Sequence, residues 1–170
     1  MNIWIVVILL GVLAMVLGPV MMLQPSERDR QQEAVRRRAT EKGLQVTLEA
    51  LPRQATDLSE PERLPVYRQP AAKGGGPARD WMLVRAAYEH ESHFMGIWAW
   101  QGKGRATPAE RACLRECLPR MPRSVRALSG DPGGWSIYWT EAGGDRALAV
   151  VEETLAALRG CSPSPASAPG

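Results

Sequence analysis

The 170-residue chain carries 21 Lys and Arg against 18 Asp and Glu, for a formal net charge of +3, a balance too mild to argue for nucleic acid as a partner. Its length fits one ordinary domain with flexible flanks. Cys113, Cys117 and Cys161 are an odd number without framework spacing, so no disulfides are expected and a reducing compartment is indicated.

Ile3 to Leu23 holds no charged residue. As a helix at about 1.5 Å per residue it spans roughly 30 Å, the thickness of bilayer hydrocarbon. The run lacks a positive n-region, is too long for a typical h-region and has no small-x-small cleavage site, which favours an uncleaved signal-anchor over a signal peptide. No Lys or Arg precedes it, whereas Arg28, Arg30, Arg36, Arg37, Arg38 and Lys42 follow. This predicts a single-pass bacterial inner-membrane protein, its N-terminus outside and its C-terminal domain cytoplasmic.

Ser26, with Asp29 three residues on, is placed to cap a helix that Gly43 ends. This charged juxtamembrane helix has weak apolar positions at Ala34, Val35 and Ala39; Arg36, Arg37 and Arg38 are candidates for anionic headgroups or for setting topology. Leu44, Val46 and Leu48 alternate with polar residues as in a strand with one buried face. Residues 52–80 read as a flexible loop around a short strand, Leu64–Arg68; Lys73-Gly74-Gly75-Gly76 lacks the Lys-Ser/Thr of a phosphate loop. Strands are expected at Trp81–Tyr88 and Phe94–Gln101. Thr107-Pro108-Ala109-Glu110 announces a helix toward Leu118. Ser124–Ser129 and Trp135–Thr140 form a hairpin across Gly130–Gly134, and a last helix starts at Gly143-Gly144-Asp145 with Leu148, Val151, Leu155 and Leu158 on one face. The tail, 161–170, is rich in Ser, Pro and Ala and is expected to be disordered.

The predicted architecture is α+β: a transmembrane anchor (1–24), a juxtamembrane helix (25–43), and a cytoplasmic domain (44–160) with a small, mostly antiparallel sheet and two packed helices. His90, His93, Cys113 and Cys117 supply the ligand types of a zinc site, but in no recognised spacing, and Cys113 and Cys117 are separated by three residues where a thioredoxin-like pair has two. No nucleophile motif appears, Glu89 and Glu91 fit a solvated face, and no cofactor is implied. Trp98 and Trp100 share one strand face, and Trp135 and Trp139 another, either as core or as partner anchors. Lys103, Arg105, Arg111, Arg115, Arg120, Arg123 and Arg126 form a basic belt suited to an acidic partner or anionic lipid.

The layout of an apolar span, Leu23-Gln24-Pro25-Ser26-Glu27-Arg28, an Arg-rich helix and Gly43-Leu44-Gln45-Val46 resembles uncharacterised proteobacterial single-span membrane-anchored proteins. It is superficially similar to the YajC-type accessory subunit of the Sec translocon. The resemblance implies one span followed by a small cytoplasmic domain with an accessory role. The expected function is that of a membrane-tethered, non-enzymatic accessory or scaffold protein contacting another membrane protein or complex. The alternatives are a metal-binding or redox enzyme using His90, His93, Cys113 and Cys117, or an anionic-lipid or nucleotide-sensing module.

Overall fold

Helix α1 (Ile3–Met22) leaves every large apolar side chain from Ile3 to Leu13, and Met15, exposed. The computed structural model describes residues 2–22, 26–51 and 63–161, with side chains from 16 to 22 excepted. Among the described residues no helix is long and apolar enough to cross a membrane. This corrects the expected span over Ile3–Leu23, and with it the transmembrane anchor, the N-outside topology and the single-pass inner-membrane location. Residues 23–25 lie outside the described residues.

The chain divides into two units, Met1–Glu33 and Ala34–Gly170. In the first, helix α2 (Glu27–Glu41) begins as its sequence implies: Ser26 Oγ accepts the Asp29 N–H at 3.2 Å, and Asp29 Oδ2 accepts the Ser26 N–H at 3.0 Å. In the second unit, α2 closes at Gly43 (φ +83°), where Leu44 N–H bonds back to Ala39 O and Gly43 N–H to Thr40 O, the paired bonds of a Schellman motif. Val35 and Ala39, weak apolar positions in the sequence, are buried in the main core.

That core lies on one face of a six-stranded antiparallel sheet. The strands are β1 (Gln45–Ala50), β2 (Arg63–Pro70), β3 (Trp81–Arg85), β4 (Trp98–Gln101), β5 (Val125–Asp131) and β6 (Gly134–Trp139), in the order β1-β2-β6-β5-β3-β4. Helix α3 (Pro108–Cys117) runs into a 3-10 turn (Leu118–Arg120), and α4 (Gly144–Cys161) ends the described chain. Strand alternation sends Tyr67, Trp81, Leu83, Leu128, Trp135, Ile137 and Trp139 toward Leu114, Val151, Leu155 and Leu158 of the helices. Gly130 permits a close approach in this layer, since a Cβ there would lie 2.6 Å from the Trp81 indole. The opposite face carries a smaller cluster of Leu64, Val66, Val84, Ala127 and Tyr138.

Three expectations shift. Leu48 was to share the buried face of Leu44 and Val46, but β1 is an edge strand and Leu48 is 60% exposed. β3 ends at Arg85 and β4 begins only at Trp98, because residues 86–97 form turns closed by Ala86 N–H to Ile97 O. Cys161 belongs to α4; the rest of the expected tail, 162–170, and the loop segment 52–62 lie outside the described residues.

Candidate binding cleft

Where the chain leaves the 3-10 turn, residues 121–124 face the turn between β6 and α4. Ser124 Oγ donates to Ala142 O at 2.8 Å and accepts the Trp139 indole N–H at 2.9 Å, while Thr140 N–H bonds Ser124 O at 3.0 Å. Arg85 fastens the same loop: it donates to Val125 O and Pro122 O, both at 2.9 Å, with its guanidinium 4.6 Å from the Trp98 ring centroid. A buried tryptophan and a half-buried arginine thus hold two otherwise independent loops in register.

Between these loops and the first turns of α4 opens a cleft of about 590 Å³. Pro122, Ala147 and Val150 supply apolar lining, and Arg120, Arg123 and Arg146 also line it. Arg120 pairs with Glu153 at 2.9 Å, whereas among the described residues Arg123 and Arg146 have no ion-pair partner. The positive field is felt nearby: burial foremost, then the charges of Arg126 and Arg123, lower the pKa of Arg85 below the ordinary arginine value. An arrangement that repels its own cations is suited to an anion carrying some apolar surface.

Beneath the rim, Glu141 adopts a left-handed backbone (φ +60°), uncommon for a residue with a side chain. Its carboxyl group is 1% exposed and takes a bidentate contact from Arg36, Nε at 2.6 Å and Nη2 at 2.7 Å, plus the Tyr67 hydroxyl at 2.8 Å. Burial, then that hydrogen bond, pushes the Tyr67 phenol well above its usual value. Arg38 with Asp145, and Lys42 with Glu152 at 2.5 Å, continue this clamp between α2 and α4.

The arginines expected to act together on α2 therefore diverge: Arg36 and Arg38 are held by acids of the fold, and Arg37 lies exposed, 4.0 Å from Glu41. Arg111 and Arg115 do not line the cleft; Arg115 stacks 5.1 Å from the Phe94 centroid, and Arg111 Nε is buried with no hydrogen-bond partner among the described residues. Trp98 is 4% exposed and Trp135 and Trp139 fully buried, while half-buried Trp100 packs on Phe94 and Trp81.

His90 and His93 sit in the β3–β4 connection with ring centroids 5.9 Å apart, bordering an open concavity with Glu89 and Glu91. His90 Nδ1 engages Ser92, and His93 Nδ1 engages Gly96 O. Cys113 and Cys117 face the core from α3, and among the described residues no group of three His, Cys, Asp or Glu is placed to hold a metal ion. Arg146, Arg85 and Glu141 escaped the sequence reading. The belt contained Arg120 and Arg123, but nothing local ties them to Arg146 on a later helix. The chain matches no known protein family, no curated protein and no solved structure.

Proposed function

We propose that Ala34–Gly170 is a non-enzymatic interaction module whose cleft holds an acidic, partly apolar segment of a partner protein. The observation that carries this reading is the convergence of Arg120, Arg123 and Arg146 on an apolar-lined cleft with two of the three unpaired among the described residues. Charge complementarity argues for carboxylates on the partner, and Pro122, Ala147 and Val150 argue for an apolar side chain between them.

The test is a fluorescence-anisotropy titration of the full chain with a dye-labelled peptide alternating Glu and Leu. Saturable binding is expected, weakening with added salt and at least about tenfold in the Arg123→Glu, Arg146→Glu double variant. Binding indifferent to that double reversal would sink the proposal, as would binding of anionic vesicles or inorganic phosphate with no binding of the peptide.

A further inference from the structure

The connection from β3 to β4 holds both histidines of the chain. His93 N–H bonds back to His90 O at 3.0 Å, so the two residues close one turn, and their rings stand 5.9 Å apart between centroids. With Glu89, Glu91 and Phe94 they border a concavity of about 500 Å³. His90 is exposed and His93 half-buried, so an ion from solvent reaches both. Cys113 and Cys117, the ligand types that the sequence offered beside them, face the core from α3 and take no part.

Hydrogen bonding prepares both rings in the same sense. His93 Nδ1 meets Gly96 O at 3.1 Å; a carbonyl only accepts, so Nδ1 carries the proton and Nε2 keeps its lone pair. His90 Nδ1 meets Ser92 Oγ at 2.9 Å and the Ser92 N–H at 3.2 Å. The N–H favours a proton on Nε2, but the nearer hydroxyl serves either tautomer. An ion at His90 Nε2 therefore has only to displace that proton, and Nδ1–H then donates to Ser92 Oγ. Among the described residues neither Nε2 has a hydrogen-bond partner.

The spacing fits a shared ion. An imidazole ligating zinc at about 2.0–2.1 Å has its ring centroid roughly 3.2 Å from the metal, so two rings sharing one ion at a tetrahedral or wider angle stand about 5–6 Å apart. The Glu89 carboxylate lies close by, since a Cβ at Gly96 would come 3.4 Å from its Oε1, and Glu91 borders the same concavity. We propose that His90 and His93 form a two-imidazole site for a divalent transition-metal ion of the zinc type, water or a neighbouring carboxylate filling the remaining positions. Two protein ligands rather than three or four make the ion exchangeable, in keeping with the lack of a three-residue ligand group among the described residues. The site shares no residue with the arginine-lined cleft.

The experiment titrates the chelator-stripped full chain with zinc by calorimetry. One ion per chain is expected to bind, and His90→Gln and His93→Gln should each weaken it at least about tenfold. Both side chains lie outside the core, so the variants should keep the parent's circular dichroism. Magnesium and calcium, which prefer oxygen ligands, should not compete. Cobalt in place of zinc should give an absorption spectrum without a thiolate-to-metal charge-transfer band. Absence of saturable zinc binding, binding that survives the double substitution, displacement of zinc by equimolar magnesium, or a thiolate band with cobalt would each overturn the proposal.

Discussion

Glu110 Oε1 accepts the indole N–H of Trp135 at 3.1 Å and of Trp81 at 3.4 Å, while Oε2 accepts the N–H and the hydroxyl of Thr107 at 2.9 and 3.0 Å. One fully buried carboxyl group thus closes the N-terminus of α3 and satisfies two core tryptophans. Its loss would strand two buried indole N–H donors and the part-buried N–H of Thr107. Glu110→Ala should therefore cost about 3 kcal/mol, and Glu110→Gln, which can still accept from the indoles, about half that. Urea unfolding followed by tryptophan fluorescence measures both, and an alanine cost below that of glutamine would contradict the assignment.

The same residue marks the boundary of what the sequence makes legible. Thr107 and Glu110 announce the cap because both partners are local, but the indoles reach Glu110 only after β3, β5 and β6 pair. Leu148, Val151, Leu155 and Leu158 reveal a helix face by spacing alone. Leu48 misleads for the converse reason: alternation reports a strand's two faces without reporting that β1 is an edge where its side chain stays exposed. Arg36 reads as a surface cation because Glu141 lies 105 positions away. Arg123 and Arg146 likewise acquire a common purpose only when the β6–α4 turn meets the loop before β5.

The Arg36–Glu141 clamp should behave as a coupled unit. Glu141→Ala removes the acceptor of Arg36 and Tyr67 together, and a loss of about 2 kcal/mol is expected after allowing for the partial exposure of Arg36. Glu141→Gly relieves the left-handed backbone and should lose measurably less than Glu141→Ala. A double-mutant cycle with Arg36→Ala in thermal unfolding should return a coupling near 1 kcal/mol; strict additivity would show the clamp to be energetically idle.

Asp131 predicts a pH dependence of definite sign. Arg68 binds it in a bidentate contact at 2.5 and 2.7 Å, and this hydrogen bonding, with the Gly133 N–H, lowers its carboxyl below the usual 3.8. Between the folded and unfolded values the unfolded chain binds more protons, so stability rises with pH there. The contribution is fully present above the unfolded value and disappears as pH falls through the folded one. Asp131→Asn should thus be less stable than the parent at pH 6, and the gap should shrink as pH is lowered below about 4. Urea titrations at pH 6 and pH 3 decide it; a gap that widens in acid would reverse the sign.

The cleft arginines should separate stability from binding. Arg123 and Arg146 gain no ion pair among the described residues, and the charge of Arg123 disfavours protonated Arg85 beside it. Removing a repelled cation from an exposed position relieves strain in the field without opening a cavity. Arg123→Ala should therefore leave the melting temperature unchanged or raise it by a degree or two, while weakening the acidic peptide by severalfold. Arg85→Ala, by contrast, frees the carbonyls of Val125 and Pro122 and uncovers Trp98, so it should lower stability by about 2 kcal/mol. Calorimetry and anisotropy on both variants test the distinction: an Arg123→Ala protein that melts as early as Arg85→Ala would mean that the guanidinium holds the fold together rather than waiting for a carboxylate.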